Sequence, residues 1–283
     1  MARSWSLPGS GGELILGNTD FPPNRVMAAV LVAHGFKGYK DYGMIPRLSE
    51  TLARAGCVVH RFNFSHSGMT ESVATFERPD LFEEDTWNRQ VEDLRCLANA
   101  ITSGRLEGAG VPLFLVGHSR GGASCLLAAG RRGDQGPVVR PAGVITIATP
   151  ASCNPLPARE QEVLLREGSL LSPSSRTGQQ LRVGRRFLEE QLDDPEGHDL
   201  LAVASSIECP VLVVHGSNDE TVPSTAAREL ADAVGPRATT LIVEGADHVF
   251  NTPNPMPRDA HPSPQLAALC DAAVGFVRQH CVL

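Results

Sequence analysis

The residue in this sequence best placed to do chemistry is Ser119, in the stretch GHSRGG. The apolar run VPLFLV precedes it and the helix-forming run ASCLLAAG follows it, which predicts a strand, a tight turn and a helix around the serine. So tight a turn strains the serine and leaves no room for side chains two residues away on either side, where Gly117 and Gly121 stand. The serine side chain is then exposed at a helix N-terminus, which favours developing negative charge. We therefore interpret Ser119 as a nucleophile.

A serine hydroxyl is a weak nucleophile at neutral pH, so it needs a base to take its proton and an acid to orient that base. For a serine in this kind of turn, the partners follow along the chain in the order Asp or Glu, then His. Asp219 in VLVVHGSNDETVP and His248 in LIVEGADHVF each come just after a predicted strand. Because reactive groups gather at the carboxyl ends of parallel strands, we predict a catalytic triad of Ser119, Asp219 and His248.

Other acids and bases fit this order less well. The histidines that come before Asp219, and so break the order, include His34, His60, His66, His118 and His215. His261 lies in a proline-rich loop, and His280 ends the last predicted helix. Asp247 adjoins the predicted base, but neighbouring side chains diverge, so Glu220 is the stronger alternative to Asp219 as the acid.

Acyl transfer also needs N–H donors aimed at the developing oxyanion, and losing one donor can cost about 3 kcal/mol. We predict the backbone N–H of Arg120 as the first donor, because this residue directly follows the nucleophile. We predict the backbone N–H of Phe36 as the second, in LVAHGFKGYKDYG, where glycines let the chain turn its amides inwards. Tyr39 is a weaker candidate for the pocket.

Short apolar runs alternate with amphipathic stretches, and these elements must position the residues above. The predicted strands are Val26–Ala33, Cys57–Phe64, Val111–Val116, Gly143–Ala148, Val211–His215 and Thr239–Val243. The predicted helices are Ile45–Ala55, Trp87–Thr102, Arg120–Gly130, Ser224–Val234 and Pro264–His280. Near-continuous apolar strands are typical of a parallel sheet covered on both faces, so the predicted fold class is α/β with right-handed crossovers. Glu13–Leu16 is predicted to belong to an early antiparallel hairpin.

The alternation breaks between residues 151 and 206, where prolines, the stretch SPSSRTG and the helix-like RRFLEEQLDD follow one another without a strong strand. We interpret residues 151–206 as an insertion packed over the strand ends, and name it the cap segment. Residues 1–150 and 207–283 then form the core domain. The alternative is an ordinary long connection with no functional role.

Composition narrows the class of protein. With 25 basic and 32 acidic residues the net charge is −7, which is a poor match to nucleic acid or an anionic membrane. The seven cysteines are scattered and form no CxxC or Cys/His cluster, so we expect neither a disulfide framework nor a metal site. No apolar run has the length of a signal-peptide core or of a membrane span, so we expect a reduced, cytoplasmic protein.

Taken together, HGFKG, RFNFSHSG, GHSRGG, HGSNDETVP and GADHVF resemble the α/β-hydrolase superfamily over nearly the whole chain. HGF followed by RFNFS, with an insertion before the acid-bearing strand, is most similar to bacterial feruloyl/cinnamoyl-esterase-like and dienelactone-hydrolase-like members. The resemblance implies an eight-stranded, mostly parallel sheet with helices on both faces, a serine–aspartate–histidine triad, and a cap that shapes an acyl or aryl pocket. Serine at position 119 departs from dienelactone hydrolases proper and from the dehalogenase and epoxide-hydrolase branches.

The resulting expectation is a serine hydrolase that cleaves carboxylic esters of small acyl or aryl acids, with a small-molecule ester as its partner and no cofactor. A thioesterase, amidase or peptidase would use the same triad, because each passes through an acyl-enzyme. A binding protein that kept the fold and lost catalysis is a third possibility, since fold does not fix function. The oligomeric state is left open.

Overall fold

Eight strands form one sheet in the computed structural model, which describes residues 2–133, 136–257 and 259–281. The strands are β1 (Arg3–Pro8), β2 (Leu14–Asp20), β3 (Ala28–Ala33), β4 (Cys57–Asn63), β5 (Leu113–His118), β6 (Gly143–Ile147), β7 (Val211–Gly216) and β8 (Ala238–Val243). Their order across the sheet is β1-β2-β4-β3-β5-β6-β7-β8. Strand β2 runs antiparallel to both of its neighbours, β1 and β4, and every pair from β4 to β8 is parallel. The predicted α/β fold class is therefore confirmed.

The strands form because each apolar run can bury side chains on both faces of the sheet. In β3 every residue is buried, and the side chains alternate: Ala29 and Leu31 lie in one apolar core, while Val30 and Val32 lie in the other. The register pairs Ala33 with Gly117 across β3 and β5. The loops that follow these two strands therefore start side by side at the carboxyl edge of the sheet.

Helices cover both faces of the sheet. They are α1 (Ile45–Arg54), α2 (Pro79–Glu83), α3 (Trp87–Thr102), α4 (Arg120–Gly130), α5 (Ala158–Glu167), α6 (Arg186–Asp193), α7 (Leu200–Ser205), α8 (Thr225–Val234) and α9 (Pro264–His280). Buried residues of α3, α4, α7 and α8 form the core on one face, and those of α1 and α9 form the core on the other. Among the helices of these three described ranges, none is long and apolar enough to cross a membrane.

The first hairpin was predicted only in part, because β1 lacks an apolar run. Its sequence, RSWSLP, alternates exposed and half-buried residues and pairs antiparallel with β2. Trp5 Nε1 donates to Thr19 Oγ1 across this pair at 3.0 Å. Asn18 Nδ2 also donates to Ser4 Oγ at 3.0 Å. Strand pairing and these side-chain hydrogen bonds, rather than burial of both faces, therefore stabilise β1.

The cap segment was predicted to have no strong strand, and the structure shows two short ones there. It contains a two-stranded antiparallel hairpin of Ser169–Pro173 and Gln180–Gly184, which we name the cap hairpin. The strands are short and largely exposed, with Leu171 56% exposed and Leu181 buried, so they produce no continuous apolar run. At the end of the segment, α7 packs between α4 and α8 as part of the core.

Candidate active site

Ser119 lies between β5 and α4 in a strained backbone conformation, with φ 52° and ψ −121°. For a residue other than glycine this region costs about 1–3 kcal/mol and needs support from its surroundings. That support includes a hydrogen bond from the Ser119 N–H to Ile147 O at 2.7 Å. A side chain at Gly117 would overlap the carbonyl of Gly121, and a side chain at Gly121 would overlap the carbonyls of Ala33 and His34. The two glycines thus permit this turn, as the sequence predicted.

Asp219 and His248 are in direct contact, with His248 Nδ1 2.8 Å from Asp219 Oδ2. The other carboxylate oxygen of Asp219 accepts the N–H groups of Thr221 and Val222, each at 2.9 Å. The Asp219 side chain is fully buried, whereas that of His248 is 18% exposed. A neutral His248 that donates from Nδ1 leaves Nε2 free to accept a proton.

Electrostatics keep Asp219 ionised. Burial raises the pKa of this carboxyl, but hydrogen bonds from His215, His248 and the Val222 N–H outweigh burial and hold the pKa well below its ordinary value. The carboxylate is therefore charged throughout the neutral pH range, where it can stabilise a positive charge on His248.

The loops that carry the acid and the base are joined by main-chain hydrogen bonds. Ser217 N–H donates to Val243 O at 3.0 Å, and Asn218 N–H donates to Ala246 O at 2.9 Å. Ser217 Oγ also accepts the Gly245 N–H at 2.8 Å. The relative position of Asp219 and His248 is thus fixed by the ends of the neighbouring strands β7 and β8.

His118 brings the base loop beside the nucleophile turn. Its Nε2 donates to His248 O at 2.9 Å, and the two imidazole centroids are 4.8 Å apart. Burial, followed by the nearby His248, lowers the pKa of His118 to about 3, so this histidine stays neutral at physiological pH. Within the described ranges the Ser119 hydroxyl makes no hydrogen bond, and its bond to His248 stays a prediction.

The loop after β3 contacts Ser119 from the other side. A side chain at Gly35 would lie 3.0 Å from Ser119 Cβ. Gly38 N–H donates to Gly35 O at 3.0 Å, which closes a turn with Lys37 at φ 57°. Across the part of the chain that the structure describes, the N–H groups of Phe36 and Arg120 have no hydrogen-bond partner. Both predicted oxyanion donors are thus available.

The alternative site residues have other contacts. Asp247 Oδ1 accepts the N–H groups of Val249 and Asn251 within its own loop, at 3.0 and 2.7 Å. Glu220 is exposed, and the buried Tyr39 donates its hydroxyl to Asn254 Oδ1 at 2.9 Å. None of the three contacts His248 through a hydrogen bond in the described ranges.

Sequence reasoning missed two buried histidines that support the site. His34 Nδ1 donates to Gly35 O at 2.8 Å, and its Nε2 accepts the Phe64 N–H at 3.3 Å. His215 Nε2 lies 3.3 Å from Asp219 Oδ2 and donates to Val222 O at 2.9 Å. In both cases the sequence has a histidine directly before a glycine at the end of a predicted strand, in VAHGF and VVHGS. The order of residues along the chain excluded these histidines as the base but did not indicate a supporting role.

Comparison with known proteins assigns the architecture. Residues 30–261 match the model of the alpha/beta hydrolase family. No protein of curated function matches the chain significantly.

Solved structures with the same fold align along nearly the full length. The esterase domain of a Rhodothermus marinus protein is 22% identical, with all of both chains covered and a TM-score of 0.67. Est1E from Butyrivibrio proteoclasticus, with ferulic acid bound, is 19% identical, with 99% of this chain and 98% of that chain covered and a TM-score of 0.67. Alpha/beta hydrolase domain-containing protein 10 from mouse is 22% identical, with 98% and 99% covered and a TM-score of 0.68. At these identities the likeness shows the fold alone. Since the family model spans most of the sequence, the chain belongs to the alpha/beta hydrolase family.

Proposed function

We propose that this protein is a serine hydrolase that cleaves carboxylic esters of small acyl or aryl acids through a covalent acyl-enzyme. The observation that carries the proposal is the 2.8 Å contact between His248 and a buried Asp219, held beside the strained turn of Ser119. The esterase domain from Rhodothermus marinus and Est1E, which has been seen with ferulic acid, support the ester as the substrate class.

In the proposed acylation step, His248 Nε2 takes the hydroxyl proton of Ser119 as Oγ attacks the ester carbonyl carbon. The new Oγ–C bond pushes the carbonyl electron pair onto oxygen, where the N–H groups of Phe36 and Arg120 donate to it. Collapse of this intermediate breaks the carbon–oxygen bond to the alcohol. The alcohol leaves with the proton from His248.

Deacylation repeats the same chemistry with water. His248 takes a proton from the water as its oxygen adds to the acyl carbon, and the oxyanion forms at the same donors. The bond to Ser119 Oγ then breaks, the serine recovers its proton from His248, and the carboxylic acid is released. In both steps Asp219 holds the Nδ1 proton of His248 and stabilises its positive form.

We further propose that the cap segment shapes the acyl pocket. Lys37 Nζ, in the loop of the second oxyanion donor, donates to Pro173 O of the cap hairpin at 2.7 Å. Phe187 is buried in the core and Leu164 is buried within the cap segment, whereas Leu165 and Leu171 are exposed. This contact supports a role for the cap next to the reacting carbonyl.

The test is hydrolysis of p-nitrophenyl acetate and butyrate by the wild-type protein and by Ser119→Ala. We expect turnover by the wild type and a loss of at least about 10⁴-fold in kcat for Ser119→Ala and for His248→Ala. Ser103→Ala, at the exposed end of α3, is the matched control and should leave kcat unchanged. Robust turnover by Ser119→Ala would refute the assignment.

The substrate class is tested by kcat/KM for an ester, a thioester and an anilide that share one acyl group. We expect the ester to have the highest value. A higher value for the thioester or the anilide would replace the proposed substrate class and leave the role of Ser119 intact.

A further inference from the structure

The side chain of Arg120 is buried although the residue directly follows the nucleophile. It is 9% exposed, and its Nη2 lies 3.3 Å from Asp85 Oδ2 and 3.4 Å from Asp85 O. Asp85 is itself buried, in the loop between α2 and α3. Such a charge is buried only when it is paired, so this contact has a structural purpose beyond surface charge.

Three aromatic rings surround the same guanidinium. Its Cζ lies 4.8 Å from the ring centroid of Trp87, 5.1 Å from that of Phe187 and 5.5 Å from that of Phe36. All three distances fall within the range of cation–π contacts. Trp87 begins α3, Phe187 belongs to α6 of the cap segment, and Phe36 carries the second proposed oxyanion donor. One side chain therefore contacts three separate parts of the site.

A chain of buried hydrogen bonds leads from this side chain back to the main chain of Arg120. Gln90 Nε2 donates to Asp85 Oδ2 at 2.8 Å. The Ser124 hydroxyl lies 2.6 Å from Gln90 Oε1 and 3.2 Å from Arg120 O, and its one proton is shared between these acceptors. The guanidinium and the carbonyl of Arg120 are thus the two ends of one closed circuit, formed by Arg120, Asp85, Gln90 and Ser124.

This circuit fixes the first turn of α4, and with it the direction of the Arg120 N–H. The contact with the Phe36 ring constrains the loop of the other donor. We propose that the Arg120 side chain is a positioning residue that holds both oxyanion donors in place and couples them to the cap segment through Phe187. The inference rests on the proposed function, because it assigns a purpose to these two donors.

A matched control exists at the other end of the same helix. Arg131 follows α4, and its side chain is half-buried, with Nε 2.6 Å from Gly197 O and Nη1 2.6 Å from Asn88 Oδ1. It also joins α4 to the cap segment, but it lies far from Ser119 along the helix. Replacing Arg131 tests whether the loss of any arginine that joins this helix to the cap segment lowers kcat.

The experiment compares Arg120→Met, Arg120→Lys and Arg131→Met in the hydrolysis of p-nitrophenyl acetate, whose acyl group is too short to need a pocket. We expect kcat to fall about 100-fold in Arg120→Met with little change in KM, because displaced donors weaken the transition state more than the ground state. Arg120→Lys keeps the charge but not the planar fork, and should lose about 10-fold. Arg131→Met should lower the melting temperature and keep kcat.

Ser124→Ala keeps the test informative if the Arg120 variants do not fold. This substitution removes the hydroxyl that links Gln90 to the carbonyl of Arg120. It should lower kcat about 10-fold at unchanged KM. A double-mutant cycle of Arg120→Met with Phe187→Leu should be non-additive in kcat, which tests the coupling to the cap.

Each outcome supports or overturns the inference. Equal kcat in wild type, Arg120→Met and Ser124→Ala overturns it, as does an equal loss in Arg131→Met. A wild-type protein that neither hydrolyses esters nor reacts at Ser119 with a fluorophosphonate overturns the proposed function itself, and the inference with it.

Discussion

At the scale of single residues, Asp219 is shared by two histidines. His248 Nδ1 lies 2.8 Å from its Oδ2 and His215 Nε2 lies 3.3 Å from the same atom, while the backbone donates to Oδ1. The carboxylate of the proposed catalytic acid is therefore fixed by contacts to both of its oxygens. Such second donors to a carboxylate determine its position as well as its charge.

We predict that His215→Phe destabilises the protein at neutral pH. The substitution removes the single Nε2 proton, which His215 shares between Val222 O at 2.9 Å and the charged Asp219 Oδ2 at 3.3 Å. The loss of this shared hydrogen bond costs about 1–3 kcal/mol. Because the pKa of folded Asp219 is depressed, the stabilisation is present above the unfolded value of about 4 and is lost as pH falls towards the folded pKa. Urea unfolding should therefore show a gap in the free energy of unfolding between wild type and variant at pH 7. Because Asp219 has the same unfolded pKa in both proteins, the gap narrows only as pH falls through the pKa of Asp219 in the folded variant.

The control places the same substitution in a protein that already carries Asp219→Asn. Without the carboxylate, His215→Phe should lose this pH-dependent part of its effect. A His215→Phe effect of the same size with aspartate and with asparagine at position 219 would show that His215 acts by packing alone.

At the scale of elements, the junction of β5 and α4 needs three small residues. Gly117 and Gly121 face main-chain carbonyls, which cannot move away. A side chain at Gly122 would overlap Oγ1 of Thr149, and its Cβ would also lie 2.9 Å from Gly117 O and 3.0 Å from Thr149 Cβ. The first two glycines are thus required by the backbone, and the third is required by one neighbouring side chain as well as by a main-chain carbonyl.

We predict that Gly122→Ala is destabilising and that Thr149→Ala rescues it in part, because the contact with Gly117 O remains. Overpacking of a buried site costs about 1–3 kcal/mol, and removing the hydroxyl and methyl of Thr149 makes room for the new methyl group. Unfolding midpoints of the two single variants and the double variant measure the rescue. Gly121→Ala combined with Thr149→Ala is the control, and it should show no rescue.

The elements themselves were largely predictable, and the contacts that support the site were not. Continuous apolar runs predicted strands β3 to β8 to within two residues at each end, because strands buried on both faces need such runs. The missed strands, β1 and the cap hairpin, are partly exposed and depend on pairing. Three short helices, α2, α5 and α7, were also missed. Chain order predicted that Asp219 would contact His248, but the circuit through Gln90 and Ser124 joins residues that no local pattern connects.

At the scale of the whole molecule, Asp93 joins three distant segments. From α3 its Oδ1 accepts the Ser10 N–H at 2.7 Å and its Oδ2 accepts the Ser65 N–H at 2.8 Å. The Ser65 hydroxyl also donates to Oδ1 at 3.0 Å. One carboxyl group therefore ties the turn between β1 and β2, and the loop after β4, to the helix that covers them.

This carboxyl makes the stability of the fold depend on pH near neutrality. Burial raises the pKa of Asp93 to about 7 despite its hydrogen bonds. Since its unfolded pKa is about 4, the folded chain binds the proton more tightly, and the free energy of unfolding falls as pH rises between these two values. The slope from this one group is at most about 1.4 kcal/mol per pH unit.

We predict that Asp93→Asn, which resembles the protonated form, removes this slope. Urea unfolding of both proteins at pH 4.5, 6 and 7.5 gives the difference between their free energies of unfolding. Other titrating groups, such as Asp85, contribute equally to both proteins and cancel in this difference. The wild type should lose stability relative to Asp93→Asn as pH rises through this range, and the difference should level off above about pH 7. If the difference in free energy of unfolding between the two proteins stays constant from pH 4.5 to 7.5, Asp93 is ionised throughout this range. Its three hydrogen-bond donors would then lower its pKa by more than burial raises it.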